Sequence, residues 1–217
     1  TPATISAAFE ELDVAEAMGA AMLDMVLKDI QAWRGLGLSF GHVAVNAAPG
    51  KFRRDLLADR VIERLEQTGV LPRELQIEVT EGVFLGRGAH HAERAIRQLH
   101  DYGVNIALDD FGTGFASLSH LRQFPVDTLK IDRSFVSDVA HLSDDAAIVA
   151  AIVNLGRNLG MKVVAEGVET PEQAMTLRTQ GCEYGQGFLF CRPLPSEEIP
   201  DLLRNWQPDL RWNALPQ

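Results

Sequence analysis

Carboxylate and amide side chains stand late in several short apolar runs of this sequence. Asp109 and Asp110 lie together in IALDDFG, Glu78 lies in LQIEVTE, and Asn46 ends VAVN. Their oxygen atoms are hard ligands, which suit magnesium or manganese better than zinc. Burying several carboxylates side by side is costly unless a cation neutralises them. The pattern therefore predicts a divalent-metal site for Mg²⁺ or Mn²⁺ formed by these four residues.

The adjacent pair Asp109 and Asp110 constrains the geometry of that site. Neighbouring residues of a strand point to opposite faces, so the pair can share one site only if the strand ends between them and the backbone turns. The following FGTG supplies such a turn, since Gly112 and Gly114 can adopt conformations that other residues avoid. A carboxylate pair at a turn fits two neighbouring ions, which activate water and hold a phosphodiester in many hydrolases.

Two further charged side chains occur late in apolar runs, Lys130 in LKID and Glu166 in VVAEG. Each polar residue has an ordinary structural explanation when taken alone, because a strand-end Asp often caps a helix and a lone Lys is often a surface charge. Their repetition over several runs favours a common site. In a (β/α) barrel, the carboxyl ends of the strands meet at one mouth, where barrel enzymes place their catalytic residues.

The elements that would position these residues alternate along the chain. Mostly apolar strands separated by helices indicate a parallel sheet covered by helices. No glycine-rich dinucleotide motif follows the first strand, which favours an α/β barrel over a doubly wound sheet. The predicted helices span 11–34, 53–68, 89–102 and 144–159, with two more beginning at Thr170 and Ser196. The predicted strands are His42–Ala47, Leu75–Thr80, Asn105–Phe111, Thr128–Asp132, Lys162–Val168 and Gly187–Cys191.

Composition limits the classes of protein that remain. A chain of 217 residues with 46% hydrophobic residues can form one domain, predicted here as 1–217. The net charge of −10 argues against a nucleic-acid polymer as partner, and no apolar run approaches the roughly 18 residues of a membrane span. Two isolated cysteines fit a reducing cytoplasm. Because the chain begins with Thr1, we expect it to be a piece of a longer protein, which could be membrane-anchored.

Long ordered motifs resemble the EAL family of cyclic-di-GMP phosphodiesterases over almost all of Phe9 to Leu194. The resemblance implies a modified TIM-like barrel whose first strand is antiparallel, and a reaction that opens cyclic-di-GMP to linear pGpG. It also implies a homodimer and attached sensory or cyclase domains. The matching motifs are VAVNAAPGKF, LQIEVTEGVFL, ALDDFGTGFASLSHLRQFPVDTLKIDRSFV, DDAAIVAAIVNLGRNLGMKVVAEGVET and GCEYGQGFLFCRPLP.

The resemblance assigns roles to the candidate residues. It implies that Lys130 contacts and orients the attacking water, and that Glu166 is either a water-mediated partner of a second metal or a general base. Gln186 lines the site near the substrate. Glu81 holds the loop from Phe111 to Ser119, which couples metal binding to dimerisation. The implied metal ligands are Asn46, Glu78, Asp109 and Asp110, with Asp109 bridging two ions.

The sequence departs from the family in two places. VNAA replaces the more usual VNLS, a change that leaves the asparagine intact. The Glu-Ala-Leu strand and the strand before it are absent, and with them a metal-binding glutamate and a phosphate-binding arginine. Six strands are predicted where such a barrel has eight. We therefore expect about 30–50 residues before Thr1 in the parent protein, with a Glu-Ala-Leu or Glu-Val-Leu strand followed closely by arginine, on which catalysis depends.

Three alternatives remain at this level. A degenerate domain could bind cyclic-di-GMP as a receptor without hydrolysing it, although the acids and the DDFGTG loop that such domains usually lose are present. An enolase-like barrel would need a second lysine or histidine base across the mouth, and only Lys130 is available. A pure interaction scaffold leaves the repeated strand-end carboxylates unexplained.

Overall fold

The computed structural model describes residues 12–47, 57–84, 89–114, 121 and 123–207. The chain forms two compact units, residues 1–106 with 122–125, and residues 107–121 with 126–217. In both units the strands alternate with helices, and every strand pair described within them is parallel. The α/β prediction is therefore confirmed.

The first unit contains a parallel pair of strands, β1 (Val43–Asn46) and β2 (Leu75–Thr80). The pairing register places Asn46 opposite Glu78. Apolar residues at helical spacing, such as Leu23, Leu27 and Ile30, form the buried face of the first helix. The helices of this unit are α1 (Leu12–Gly35), α2 (Leu57–Thr68) and α3 (Ala89–Tyr102), and short 3₁₀ turns span Pro72–Glu74 and Glu81–Phe84.

The second unit contains parallel strands that follow one another in chain order. They are β3 (Asn105–Phe111), which belongs to this unit from Ala107 onward, β4 (Thr128–Ile131), β5 (Lys162–Ala165) and β6 (Tyr184–Gly185). Each strand lies next to its successor, as in a barrel, whereas a doubly wound sheet reverses its strand order. All of β4 is buried, as expected for a strand covered on both faces. The helices here are α4 (Arg133–Ser137), α5 (Ser143–Leu159), α6 (Pro171–Thr179) and α7 (Ile199–Asn205).

Most predicted helices lie where the sequence placed them. Thr170 caps α6, and Gln173 completes the capping box as predicted. The last helix was predicted to begin at Ser196 and instead begins at Ile199. If the helix began at Ser196, the carbonyl of residue 196 would lack a hydrogen-bond donor, because Pro200 has no N–H. In the observed helix Pro200 lies in the first turn, where proline is tolerated. The start of the helix predicted at residue 53 lies outside the described residues.

The strand predictions need two corrections. The run Gly187–Cys191 is a turn, in which the N–H groups of Phe190 and Cys191 donate to the carbonyl of Gly187, and the sixth strand is Tyr184–Gly185. The fifth strand ends at Ala165, so Glu166 follows the strand directly. The short helix α4 after β4 was not predicted. None of the helices that the structure describes has the length and apolarity required to cross a membrane.

Candidate functional site

The centre of the second unit's polar site is the buried side chain of Lys130 on β4. Its Nζ lies 3.0 Å from Asp109 Oδ1 on β3 and 2.5 Å from Glu166 Oε1 just after β5. The Lys130 side chain is only 5% exposed, and the Asp109 and Glu166 side chains are 13% and 18% exposed. Three neighbouring strands therefore place an ammonium group between two carboxylates. Lys130, Asp109 and Glu166 are thus brought together as the sequence pattern predicted.

Asp110 joins this cluster through an irregularity of β3. The pairing of β3 with β4 shifts register between Leu108 and Phe111, and Asp110 has a φ of 54°. A non-glycine residue in this left-handed region is uncommon, and an extra residue in one strand turns a side chain to a different direction. The predicted change of direction therefore occurs at Asp110 within the strand, rather than by an end of the strand before FGTG.

The three carboxylates form a group that could hold a cation. One oxygen each of Asp109, Asp110 and Glu166 lies within 4.8 Å of the others. Three carboxylates with one ammonium leave two negative charges uncompensated, which is costly in a partly buried site. Asp109 Oδ1 is buried, and its close polar contact among the described residues is the 3.0 Å ion pair with Lys130. The excess negative charge and the all-oxygen donor set fit a divalent ion such as Mg²⁺ or Mn²⁺.

The charge density also affects Asp110 itself. Burial, the negative charge of Asp109 and a hydrogen bond with Asp132 raise the pKa of Asp110, while Lys130 lowers it to a smaller extent. Burial opposes ionisation of Asp132 as well, yet hydrogen bonds from Ser134 and from Asp110 lower the pKa of Asp132 overall. A bound cation would favour the ionised form of Asp110.

Asp132 is a hydrogen-bond partner of Asp110 that the sequence reasoning missed. Its Oδ1 accepts a 2.9 Å hydrogen bond from the N–H of Ser134 and caps α4. The sequence LKIDRS indicates this helix cap, because Asp132 ends an apolar run and lies two residues before Ser134.

The remaining predicted ligands lie in the first unit. Asn46 ends β1 and is exposed, and Glu78 beside it on β2 is buried. Glu81, predicted to hold the loop after Asp110, is buried in the 3₁₀ turn that follows β2. Their roles as ligands and as loop support stay predictions. Residues 115–119 of that loop lie outside the described residues.

Gln186 lies directly after β6, beside the end of β5. Its N–H donates to the carbonyl of Ala165, and its own carbonyl accepts from the N–H of Val168. The next residue, Gly187, lies so close to the Val168 backbone that any Cβ there would clash. This close approach fixes the main chain of Gln186 next to the loop that carries Glu166. Gln186 also lines a cavity of about 460 Å³ that extends from Glu166.

Comparison with known proteins identifies the family of this chain. The EAL domain model matches residues 1–193. The chain belongs to the EAL domain family. Its fold is that of the solved EAL domains: the structure of the Pseudomonas aeruginosa MucR phosphodiesterase with cyclic-di-GMP superposes with a TM-score of 0.86 at 41% identity, covering 92% of this chain and 80% of that one. The predicted barrel-type fold is thereby confirmed.

Curated relatives of this EAL domain are longer proteins. Over 199 residues it is 41% identical to the bifunctional diguanylate cyclase/cyclic di-GMP phosphodiesterase MucR, covering 92% of this chain and 29% of MucR. It is 39% identical over 198 residues to the cyclic di-GMP phosphodiesterase NbdA of Pseudomonas aeruginosa, covering 90% of this chain and 24% of NbdA. Klebsiella pneumoniae BlrP1, solved with manganese and cyclic-di-GMP, superposes with a TM-score of 0.68 at 32% identity, covering 80% and 44% of the two chains.

Proposed function

We propose that this EAL domain hydrolyses cyclic-di-GMP to linear pGpG in bacterial signalling, using two Mg²⁺ or Mn²⁺ ions. The observation that carries the proposal is the partly buried group of three carboxylates, Asp109, Asp110 and Glu166, around the buried ammonium of Lys130. Support also comes from MucR and NbdA, which are named as cyclic-di-GMP phosphodiesterases. Lys130 favours hydrolysis over capture alone, because a receptor needs no group to orient an attacking water.

Asn46, Glu78, Asp109 and Asp110 are the residues that would hold the ions. Bound divalent cations lower the pKa of coordinated water and stabilise negative charge on a phosphodiester. Glu166, in contact with Lys130, serves as a water-mediated metal partner or as a base for the water proton.

Lys130 is proposed to position the attacking water. Its ammonium carries three N–H donors, and contacts with the Asp109 and Glu166 carboxylates fix its position. An ammonium held in this way presents a donor to water at a defined point, which is how positioned catalytic groups lower barriers. Because both carboxylates stabilise its charged form, Lys130 acts as an electrostatic and orienting group.

The larger setting of the domain is also proposed. The chain spans about a quarter of the length of the curated relatives described above. We propose a cytoplasmic domain that forms homodimers and is joined to a sensory or cyclase domain. The name of MucR joins a cyclase and a phosphodiesterase activity in one protein.

The test is to incubate the intact protein with cyclic-di-GMP in Mg²⁺, in Mn²⁺ and in EDTA, and to follow pGpG by chromatography. We expect pGpG only with a divalent ion. Asp109→Asn should remove turnover, and Asp138→Asn serves as the control because Asp138 is an exposed aspartate of the same unit. Binding of cyclic-di-GMP without pGpG in either metal would contradict the proposal and identify a receptor.

A further inference from the structure

Two residues of the segment that carries Asp110 have a left-handed backbone. Asp110 has a φ of 54° and Gly112 a φ of 101°. Glycine adopts this region readily, whereas an aspartate there is uncommon and its backbone is strained. Such strain persists only where the surrounding structure enforces it. Because Asp110 belongs to the carboxylate group, the contacts that enforce its backbone also decide where one of the three carboxylates lies.

Two hydrogen bonds act on this segment. The hydroxyl of Thr113 donates to the carbonyl of Asp110 at 2.9 Å, which closes the turn after the bulge. The side chain of Asp132, which caps α4, is hydrogen-bonded to the side chain of Asp110. The first of these bonds is local, since it joins residues three positions apart, and the second acts on the side chain alone. Neither bond fixes the backbone of the segment against a neighbouring element.

The backbone of the segment lies directly against the ring of Phe135 on α4. A Cβ at Gly112 would lie 2.9 Å from Phe135 Cε2 and 3.4 Å from Ile152 Cδ1 on α5. Protein Cβ atoms do not approach other atoms within 3.0 Å, so the ring occupies the space that a side chain at position 112 would need. Without the ring, the segment would gain room to move toward α4, and the strained backbone of Asp110 would relax.

The ring of Phe135 is well placed to support this segment because α4 is held at both ends. At its start, Asp132 Oδ1 accepts a 2.9 Å hydrogen bond from the N–H of Ser134. At its end, the carbonyl of Ser137 accepts a 2.9 Å hydrogen bond from Gln173 Nε2 of α6. The helix also follows β4 directly, with the capping residue as the link. A fixed element therefore joins the lysine-bearing strand to the backbone that carries the third carboxylate.

We propose that Phe135 is a positioning residue for the metal site, whose ring holds Gly112 and thereby keeps the carboxylate of Asp110 in the group. The inference rests on the proposed function, because it assigns Asp110 to a divalent ion. Phe135 contacts neither the ion nor the substrate and acts through the backbone alone. Loss of a residue that orients a metal ligand typically costs about ten- to a hundredfold in metal affinity or activity.

The test measures Mn²⁺ binding to the intact protein by calorimetry, without substrate. Phe135→Ala should weaken Mn²⁺ binding about tenfold, and Phe135→Leu, which keeps part of the ring's volume, should have a smaller effect. In turnover, Phe135→Ala should require about tenfold more Mn²⁺ for half of the maximal rate. The control is Val136→Ala, because Val136 is a fully buried residue of the same helix that is not among the closest neighbours of Gly112. This control should be less stable in urea but bind Mn²⁺ as the wild type does.

A double-mutant cycle tests whether Phe135 acts through Gly112. Gly112→Ala alone should weaken Mn²⁺ binding, because its Cβ would displace the ring. In the Phe135→Ala background the same Cβ has room, so the two substitutions together should weaken binding by less than the product of their separate effects.

The outcomes separate this inference from the proposed function. Wild-type Mn²⁺ affinity in Phe135→Ala would overturn the positioning role while leaving the proposed hydrolysis intact. Independent effects in the double-mutant cycle would overturn the route through Gly112. An equal loss of affinity in Val136→Ala would attribute the effect to loosening of α4 as a whole and overturn the specific role of the ring. If Phe135→Ala does not fold, Phe135→Leu decides between the same outcomes. Wild-type protein that binds no Mn²⁺ and releases no pGpG would overturn both.

Discussion

Replacing Lys130 by methionine separates the structural role of its charge from its catalytic role. Methionine keeps a long unbranched side chain at a position that is 4% exposed, so the packing of β4 is largely retained. The substitution removes the ammonium between Asp109 and Glu166 and leaves their carboxylates facing each other. Without metal, we expect the variant to be less stable than the wild type.

The size of this loss follows from the burial of the group. Removing one partner of a buried ion pair costs about 3–5 kcal/mol because the other charge remains buried and uncompensated. Here the side chains of Asp109 and Glu166 are 13% and 18% exposed, so water screens part of the repulsion. We therefore expect about 3 kcal/mol in EDTA. If a divalent ion binds the folded protein as proposed and neutralises the carboxylates, saturating Mn²⁺ should recover most of this stability.

Catalysis should respond differently. If Lys130 positions the attacking water, its loss lowers kcat by about a hundredfold, and no concentration of Mn²⁺ restores the rate. The affinity for cyclic-di-GMP should change much less than the rate. Urea unfolding in EDTA and in Mn²⁺ gives the two stabilities, and pGpG release at saturating substrate gives kcat. Lys162→Met is the matched control, because Lys162 is an exposed lysine at the start of β5.

Three results would refute this reasoning. Recovery of kcat by Mn²⁺ to within a few fold of the wild type would show that Lys130 only balances charge. Equal losses in affinity and rate would make Lys130 a contact to the substrate. A Lys162→Met variant with the same loss of stability would attribute the effect to the removal of any lysine.

The other predictions address the metal ligand, the glycine beside Gln186 and the two thiols. Asp109→Asn should keep the far-ultraviolet circular dichroism spectrum but lose the rise in Tm that Mn²⁺ gives the wild type; an unchanged rise would remove Asp109 from the metal site. Gly187→Ala should destabilise the domain by about 1–3 kcal/mol in urea because its Cβ meets fixed backbone, while Gly35→Ala, with nothing within 4 Å, should not. Burial raises the pKa of the Cys182 thiol to about 11, so at pH 8 only Cys191 should react readily with a thiol reagent in the folded protein, and fast reaction of both would contradict the burial of Cys182.

Sequence reasoning predicted the helices best where periodicity and capping agree. Gly160, at a φ of 73°, ends α5, and the capping box of Thr170 and Gln173 begins α6, as predicted from residue types alone. The run Gly187–Cys191 was misread because an apolar run of that length looks the same in a strand and in a packed turn. Only the tertiary contact of Gly187 with the Val168 backbone decides between them.

The site was predictable as a set of residue types but not as a geometry. Apolar runs that end in acids placed Asp109, Lys130 and Glu166 at one mouth, because parallel strands end on the same side of a sheet. The bulge at Asp110 could not be read in the same way, since its left-handed backbone depends on a register shift against β4. Arg133, which lines the cavity beside Glu166, was not singled out because the residue after a strand-end cap has no distinctive pattern until α4 is seen.

Electrostatics gives a reason why the carboxylate group and the cavity lie side by side. The substrate proposed above is an anionic dinucleotide, and a protein with a net charge of −10 would have to supply positive charge for it locally. Divalent ions held by Asp109 and Asp110 would supply it for the phosphate, and Arg133 carries positive charge in the wall of the cavity. The acidic surroundings disfavour an anion that contacts only one of these two positive regions. We therefore expect the two regions to act together on the proposed substrate.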